Sequence, residues 1–318
     1  MMGLRSLILR AALLICAVGA DPSSTCEGLS LLQKKSKPVV TLISVSQAQA
    51  ASQQLAIHLA KVARAKTTES STSELLHSFR ICGNCEHFKR FGELHDGGYL
   101  TCMDGLAGGN LKAAYSLGVE HHDQWSDDVG YELAVKVNQF DCTVSEGPPC
   151  SNCQFFPKCI RSESGSEDAF PGQSVTLNKA LELSGQKDAA QRSLLLKIDI
   201  EGSEWPIFAD ESKELLQKFQ QIIVEFHSLD KVDKHPQYLK AVQNILHAGF
   251  RVAHLHGNNY AGMFTEGENR IPDVLEVTYI STGGGSEGSC SDEQVFLADD
   301  APNNPGAPEL DGAELAGV

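Results

Sequence analysis

The hydrophobic residues in the middle of the chain form short runs, and glycine or polar residues follow each run. The clearest run lies at 194–205, LLLKIDIEGSEW, which opens largely apolar and closes on acids. Such a run predicts a strand buried on both faces of a parallel sheet. Similar runs recur at 113–119, 135–141, 222–227, 250–256 and 274–280, and helical patterns lie between them at 127–134, 174–184, 211–219 and 235–248. This alternation predicts an α/β domain.

Acidic residues follow the run at 194–205 without a gap. Asp199 and Glu201 stand at its carboxyl end, where Gly202 lets the backbone turn without a Cβ clash. Ligands of open α/β sheets bind at this edge. An isolated Asp-x-Glu is more commonly part of a solvated turn, so these acids become candidates for a site only together with other strand ends.

Two further strand ends carry a glycine and an acid. The run at 113–119 ends near Gly118, and about twenty residues later the run at 135–141 ends on Asp141. This order is typical of nucleotide-binding βαβ units, in which glycine admits the ligand and the acid accepts hydrogen bonds from ribose. The full glycine-rich motif is missing, because Glu120 and two histidines follow Gly118. The pattern therefore favours an adenosyl cofactor without a pyrophosphate over a dinucleotide, while a plain strand-end turn at Asp141 stays possible.

The charge of the chain argues against a nucleic-acid partner. The formal net charge is −15, whereas nucleic-acid binding needs a basic surface. Residues 282–318 hold eight acids and no Lys or Arg. This Gly-, Pro- and Asp-rich tail is predicted to be disordered.

The N-terminus has the pattern of a secretory signal peptide over residues 1–20. Arg5 and Arg10 precede a short apolar segment that closes on small residues. An uncleaved membrane anchor is the competing interpretation, although Arg10 would be costly in a bilayer. Residues 21–75 are interpreted as a pro-region or stalk, with one amphipathic helix at 46–66, and the main domain is predicted at 76–281.

Nine cysteines follow residue 20, and four of them form the two CxxC pairs Cys82/Cys85 and Cys150/Cys153. CxxC spacing occurs in zinc sites, but behind a signal peptide disulfides are favoured. A thiol oxidoreductase is the third alternative, and no thioredoxin-like pattern surrounds either pair. The odd number leaves one cysteine unpaired or intermolecular. Residues 147–172 are predicted to be a disulfide-stapled loop inserted into the domain.

Five motifs together resemble the FkbM-type family of S-adenosylmethionine-dependent methyltransferases, near its secreted or membrane-anchored branch. They occur in family order over about 200 residues, as DGGYLTC (96–102), YSLGV (115–119), KIDIEGSEW (197–205), VEFH (224–227) and HGNN…IPDVLEVTYI (256–280). KIDIEGSEW is the specific one. The resemblance implies a Rossmann-like, doubly wound, mostly parallel seven-stranded sheet with helices on both faces. It also implies methyl transfer from S-adenosylmethionine, usually to oxygen.

The resemblance also implies roles for individual residues. Gly118 matches the cofactor-binding glycine after the first strand, and Asp141 matches the ribose-binding acid after the second. Asp199 and Glu201 match the acid pair near the methyl-transfer centre, where Asp199 is also a cofactor-binding candidate. The loop at 118–122 has fewer glycines than the family pattern, so the cofactor contacts there stay open.

Methyl transfer to a hydroxyl benefits from a positioned base. Glu225 and His227 match the polar end of the fifth strand, and His227 is the first candidate because an unperturbed imidazole accepts a proton near neutral pH. Asp199 or Glu201 is the second candidate. These four side chains could also converge on a divalent cation, but the favoured interpretation assigns no metal.

Two functions remain in competition. The first is a methyltransferase of the secretory pathway that acts on an oxygen of a glycan or small metabolite. The second is a non-catalytic secreted binding protein that keeps the sheet and has lost the cofactor, as the reduced glycine loop suggests. No nucleic-acid partner is expected, and no membrane span unless the leader is retained. The acceptor and the oligomeric state are not specified by the sequence.

Overall fold

The computed structural model describes residues 71–106, 110–165, 170–266, 269–282, 290, 297 and 299–310, with helical positions 53–54, 57–58 and 61 before them. The predicted signal peptide and most of the predicted stalk, including Cys26, lie outside these residues. The domain belongs to the compact unit His58–Val318. Among the described residues, no helix is both long enough and apolar enough to span a bilayer.

Thirteen strands and five complete helices are assigned within the described residues. The strands are β1 (Phe88–Gly92), β2 (Gly98–Cys102), β3 (Ala113–Leu117), β4 (Lys136–Phe140), β5 (Cys153–Phe156), β6 (Cys159–Arg161), β7 (Ser174–Thr176), β8 (Leu194–Ile198), β9 (Phe219–Phe226), β10 (Phe250–Gly257), β11 (Met263–Glu266), β12 (Asn269–Pro272) and β13 (Leu275–Ser281). The helices are α1 (Gln124–Glu132), α2 (Leu177–Leu183), α3 (Glu204–Asp210), α4 (Lys213–Leu216) and α5 (His235–His247). A further helical stretch, residues 71–77, precedes β1.

Seven strands form the central sheet, in the order β10-β13-β9-β8-β3-β4-β5. The pairs from β9 to β5 are parallel, whereas β13 is antiparallel to both β9 and β10. The predicted α/β class is therefore confirmed, with a mixed sheet. Because β3, β4, β8, β9 and β10 all run in one direction, their carboxyl ends meet along one edge.

Alternating side chains of the central strands enter two separate cores. On β3, Tyr115 and Leu117 pack with residues of α2, α3, α4 and α5, whereas Ala114 packs on the other face with α1 and the β1–β2 hairpin. Trp205 of α3 and Trp125 of α1 are the largest side chains of the two cores and are fully buried. Burial on both faces explains why the central strands have continuous apolar runs rather than alternating ones.

The predicted loop at 147–172 differs from the structure, which contains part of the sheet there. Its residues 153–156 form β5, the edge strand paired with β4, and its residues 159–161 form β6. Every residue of β5 is only partly buried. An edge strand of four half-buried residues has no continuous apolar run, so the turn-forming residues around it dominated the sequence pattern.

The cysteines form four disulfides, Cys82–Cys290, Cys85–Cys102, Cys142–Cys159 and Cys150–Cys153. Disulfides are therefore confirmed over zinc for both CxxC pairs. Only the second CxxC pair is bonded within itself. The first pair bonds to distant cysteines, because the backbone at Cys82 lies against β10 while Cys85 faces the end of β2.

Both ends of the domain extend beyond the predicted boundaries. Leu75 is fully buried in the core, and Thr72 Oγ1 lies 2.7 Å from His235 Nδ1, so the domain includes residues before 76. Residues 299–310 of the predicted disordered tail are bound to β10 and to the β1–β2 turn. The acids that suggested disorder include Asp300 and Glu309, and both of them pair with buried histidines.

Candidate functional site

A cavity of about 730 Å³ opens at the carboxyl ends of β3, β4, β8 and β9. Its walls include all five residues that the sequence predicted for the site, Gly118, Asp141, Asp199, Glu201 and His227. The volume lies within the range of small-molecule sites. The structure therefore brings the predicted residues together, and their individual contacts test the predicted roles.

Gly118 lies where the ends of β3 and β8 come closest. Its φ is +80°, and a Cβ at this position would lie 1.7 Å from the carbonyl oxygen of Asp199. Its N–H donates to Phe140 O at 3.0 Å. Only glycine fits here, because both the left-handed backbone and the close approach exclude a side chain. Gly118 thereby shapes the floor of the cavity.

Asp141 holds the loop that follows Gly118. Its Oδ2 accepts the N–H groups of Val119 at 3.0 Å and Glu120 at 2.9 Å. Its Oδ1 accepts the N–H of Thr143 at 2.7 Å and the hydroxyl of the same residue at 2.6 Å. Burial alone would raise the pKa of Asp141, but these hydrogen bonds outweigh it and lower the pKa. The carboxylate thus has about four acceptor positions and all are used, so a ribose would have to displace the Thr143 hydroxyl.

Glu204, which the sequence pattern did not single out, holds the turn after β8. Its Oε1 accepts the N–H of Ile200 at 2.7 Å, and its Oε2 accepts the N–H of Gly202 at 2.9 Å. Its side chain is fully buried. The turn places Glu201 at φ +58° with its side chain 82% exposed, directed away from the packed core. Glu204 therefore fixes the backbone from which Asp199 and Glu201 project.

Three of the five non-glycine residues with positive φ in the described part of the chain lie at this edge. Glu120, Glu201 and Ser228 follow β3, β8 and β9 respectively, whereas Ala134 and Arg192 lie before β4 and β8. Left-handed non-glycine residues cost about 1–3 kcal/mol each and persist where the surrounding contacts enforce them. The edge is thus built with a specific backbone shape rather than with relaxed turns.

Lys197 is a buried cation beneath the cavity. Its side chain is 6% exposed, and its Nζ lies 3.0 Å from Gly118 O and 3.3 Å from Asp199 Oδ2. Burial alone would lower the pKa of Lys197, but the negative charges of Asp199, Asp123 and Glu225 outweigh it and raise the pKa. Lys197 is therefore charged and compensates Asp199.

Tyr99 of β2 connects the acids at the ends of β8 and β9. Its hydroxyl lies 2.8 Å from Asp199 Oδ2 and 2.8 Å from Glu225 Oε2. Burial, followed by the charges of Asp199 and Glu276, raises the pKa of Glu225 well above its usual range. The Tyr99 hydroxyl has one proton, so it donates to only one of the two carboxyl groups at a time.

His227 lies among carboxylates. Its Nε2 is 3.8 Å from Asp199 Oδ1, 3.6 Å from Glu201 Oε2 and 3.7 Å from Glu225 Oε1. Its Nδ1 is 3.3 Å from Glu204 Oε1. Burial alone would lower the pKa of His227, but Glu204 and the other acids outweigh it and raise the pKa to about 10. The acids around His227 thus oppose a role as a base near neutral pH, and that role stays a prediction.

This raised pKa predicts a pH-dependent contribution of His227 to stability. A group whose pKa rises from about 6.5 on folding stabilises the folded state fully below pH 6.5. The contribution falls as the pH rises towards 10. We expect His227→Gln to lower the melting temperature more at pH 6 than at pH 10, measured by thermal unfolding across this range. An equal loss at both pH values would contradict the cationic state.

Part of this cluster could also hold a metal ion. One ligand atom from each of Asp199, Glu201 and His227 can be chosen so that all three lie within 4.8 Å of one another. Two carboxylates and an imidazole suit several divalent cations. Lys197 lies against Asp199 in the same cluster and compensates part of its negative charge.

The cavity lining is rich in acids overall. Its acids are Glu93, Asp96, Glu120, Asp123, Asp141, Asp199, Glu201 and Glu225, whereas its Lys and Arg residues are Arg161 and Lys197. Such a surface attracts cations and repels phosphates and other anions. The cavity is therefore suited to a ligand that carries positive charge.

The sequence analysis missed Tyr99, Lys197 and Glu204 although all three lie in its motifs. Lys197 had the clearest signal, because a lysine inside an otherwise apolar buried run requires a partner. Tyr99 contacts Asp199, which is 100 residues later in the chain, and Glu204 contacts Ile200, which is 4 residues earlier. Nothing in the spacing of residues distinguishes those contacts from ordinary packing.

Residues 148–252 match the family model described as the methyltransferase FkbM domain. The match covers roughly a third of the chain, from the segment before β5 into β10. It includes Asp199, Glu201, Glu225 and His227, and it begins after Gly118 and Asp141. A comparison with curated proteins finds no match to the chain. An FkbM methyltransferase domain is thus found at the part of the chain that holds the acid and histidine cluster.

Proposed function

We propose that the chain is an S-adenosylmethionine-dependent methyltransferase that methylates an oxygen of a glycan or small metabolite in the secretory pathway. The observation that carries the proposal is the acid-lined cavity at the carboxyl edge of the sheet, within and beside the matched FkbM domain. S-Adenosylmethionine brings a sulfonium and an ammonium, and the excess of carboxylates suits both charges. The proposal includes a Rossmann-like sheet, which six strands in one direction and helices on both faces support.

The residues of the cavity divide into two halves in this proposal. The loop after Gly118 and the carboxyl end of β4 at Asp141 would hold the adenosine part, because the close backbone approach leaves room for a flat group. Asp199, Glu201 and His227 would face the acceptor oxygen. The cofactor supplies an activated methyl group that is displaced in line from sulfur to the acceptor.

The acceptor proton needs a place to go as the oxygen–carbon bond forms. Asp199 is held by Tyr99 and Lys197 in a fixed orientation, and it can accept a hydrogen bond from the acceptor hydroxyl. A cationic ligand in the cavity would oppose the carboxylates that keep His227 protonated, and so would lower the pKa of His227 towards the range of a base. The base is therefore Asp199 directly, or His227 once the cavity is occupied by a cation.

Secretion is part of the same proposal. Four disulfides within the described residues fit an oxidising compartment. The signal-peptide pattern of residues 1–20 supports the same location. Production in the presence and absence of a disulfide-forming pathway, followed by mass determination of the N-terminus, tests both features.

One observation favours the non-catalytic alternative. All four acceptor positions of Asp141 are taken by Val119, Glu120 and Thr143. A carboxylate used in this way can be purely architectural. In that case the protein would retain the sheet and the loop without binding the cofactor.

Calorimetric titration of the disulfide-bonded chain with S-adenosylmethionine and with S-adenosylhomocysteine distinguishes the methyltransferase from the non-catalytic binding protein. We expect both compounds to bind, and Asp141→Ala to weaken both by at least about tenfold because the loop after Gly118 loses its anchor. Asp188→Asn removes an exposed acid far from the cavity and serves as the matched control. Binding of neither compound by the folded protein would reject the methyltransferase and favour the binding protein.

A further inference from the structure

The segment at residues 299–310, here called the C-terminal strap, crosses from the end of β10 to the turn between β1 and β2. It lies beyond the matched FkbM domain and beyond the motifs that resemble the family. Asn303 and Ala301 of the strap are buried. The strap therefore has an interface with the domain, and the contacts of that interface indicate its role.

Buried histidines and an asparagine bind the strap along β10. His254 Nε2 lies 3.0 Å from Asp300 Oδ1, and His256 Nε2 lies 3.3 Å from Glu309 Oε1. Asn259 Nδ2 donates to the strap carbonyls of Asn304 at 3.1 Å and Pro308 at 3.0 Å. Asn259 Oδ1 in turn accepts the N–H of Asn304 at 2.6 Å. Buried charge and amide contacts of this kind hold a segment in one register rather than loosely.

The strap also contacts the β1–β2 turn. His95 Nδ1 lies 2.8 Å from Pro302 O, and Asn303 Nδ2 donates to Asp96 Oδ1 at 3.2 Å. Asn303 Nδ2 donates as well to Glu276 Oε1 of β13 at 2.6 Å. A single fully buried amide thus joins the turn to the sheet, and Asp96 is itself part of the cavity wall.

Asn258 completes the connection to the acid cluster. Its Nδ2 donates to Glu225 Oε1 at 2.8 Å and contacts Asp96 Oδ1 at 3.4 Å. Asn258 also lines the cavity. Asn303 and Asn258 therefore both contact Asp96 Oδ1. Asn258 also donates to Glu225, so the orientation of Glu225 depends on Asn258, which Asp96 holds in place. From Glu225 the chain of contacts continues through Tyr99 to Asp199.

We propose that the C-terminal strap ties two walls of the cavity together, and that Asn303 is a positioning residue for Glu225 through Asp96 and Asn258. The two walls are the β1–β2 turn and the end of β10. The description of these walls as the acceptor half of the site rests on the proposed function. The proposal that the strap connects the two walls is independent of it. The site is thus completed by a segment about 75 residues after His227 in the chain.

The disulfide Cys82–Cys290 anchors the start of the tail near the same strand. The N–H of Cys82 donates to Val252 O of β10 at 3.0 Å. The bond closes a sequence separation of 208 residues. Cys290 lies nine residues before the start of the strap, so the bond limits the volume in which the strap finds its docked position.

Hydrogen exchange of the full disulfide-bonded chain tests the tie without any ligand. We expect Asn303→Ala to accelerate amide exchange about tenfold in peptides covering 93–98 and 257–261, because Asp96 loses a donor and the strap that binds Asn259 loses its attachment to the turn and to Glu276. Peptides covering 136–144, at the Asp141 loop, should exchange as in the unaltered chain. Asp299→Asn, an exposed acid of the same strap, is the matched control and should change neither region.

A pair of variants separates positioning from general stability. Asn303→Asp puts a carboxylate against Asp96 and Glu276 and should open both walls. Adding both Asp96→Asn and Glu276→Gln gives the new carboxylate a donor from each neighbour and should return exchange at 93–98 and 257–261 towards that of the unaltered chain. The ring signal of His227, labelled for NMR, should shift in Asn303→Ala and recover in this combined variant, because its Nε2 lies 3.7 Å from Glu225 Oε1.

Unchanged exchange in both walls with Asn303→Ala, or faster exchange in every peptide with no recovery in the combined variant, would overturn the proposal. The methyltransferase proposal fails separately, through loss of cofactor binding by the unaltered chain in calorimetry. A chain that binds no cofactor and still shows the exchange pattern would retain the strap as a structural tie of the cavity.

Discussion

Gly118→Ala should destabilise the fold by more than about 4 kcal/mol, or prevent recovery of folded protein. The added Cβ would lie 1.7 Å from the Asp199 carbonyl, which is backbone and cannot rotate away. The ends of β3 and β8 would have to separate, although Lys197 and the N–H of Asp199 both bond across this junction. Chemical unfolding with intact disulfides measures the loss, and calorimetry with S-adenosylmethionine should show no binding by any folded fraction.

Gly185→Ala is the matched control for this variant. Gly185 also has positive φ, at +75°, and no atom lies within 4 Å of its added Cβ. That substitution carries only the backbone cost of a left-handed residue, about 1–2 kcal/mol. The difference between the two variants isolates the steric clash at the floor of the cavity. Equal losses for Gly118→Ala and Gly185→Ala would show that β3 and β8 are not held together at that point.

The central strands could be predicted because burial on both faces leaves a direct trace in the sequence. The segments around β3, β8 and β9 are mostly apolar, and the strands end at Leu117, Ile198 and Phe226, next to the glycine and polar residues that the pattern singled out. The polar edge followed from the same pattern, since parallel strands bring their carboxyl ends together. The position of Asp141, Asp199 and His227 around one cavity was therefore predictable from strand ends alone.

Features that depend on long-range partners were not predictable in this way. β5 has no apolar run, because edge strands are only half buried. The partner of Cys82 is 208 residues away, and the spacing of the cysteines left their connectivity open. The composition of the tail predicted that its acids are solvated. In the structure, Asp300 and Glu309 pair with His254 and His256. Composition cannot reveal a partner that is distant in sequence.

The chemistry of His227 shows the same limit. Its place at the end of β9 followed from the pattern, but its pKa depends on four acids, two in the turn after β8, one in α3 and one in β9. Glu204, whose role was not recognised from the sequence, is the largest of the contributions that raise the pKa of His227. His227 was predicted as a base, and the acids around it raise its pKa. The position of a site is thus easier to predict than the charge on its residues.

Lys197→Met should cost roughly 3 kcal/mol of stability at neutral pH, because it removes the cation from a buried ion pair and leaves Asp199 without compensation. The ammonium lies 3.3 Å from Asp199 Oδ2 and 5.1 Å from the centre of the Tyr99 ring, and only 6% of the side chain is exposed. Methionine fills most of the same volume, so the loss reports charge rather than a void. Denaturant unfolding measures it.

Lys136→Met is the matched control, since Lys136 begins the neighbouring strand β4 and is exposed. We expect it to change stability by less than about 0.5 kcal/mol. Adding Asp199→Asn to Lys197→Met should recover about 1–3 kcal/mol relative to the sum of the single losses, because the uncompensated charge is then removed. Strictly additive losses would mean that the ammonium is held by the Gly118 carbonyl alone. Lys197 would then support the floor of the cavity, and the charge on Asp199 would have to be balanced by His227.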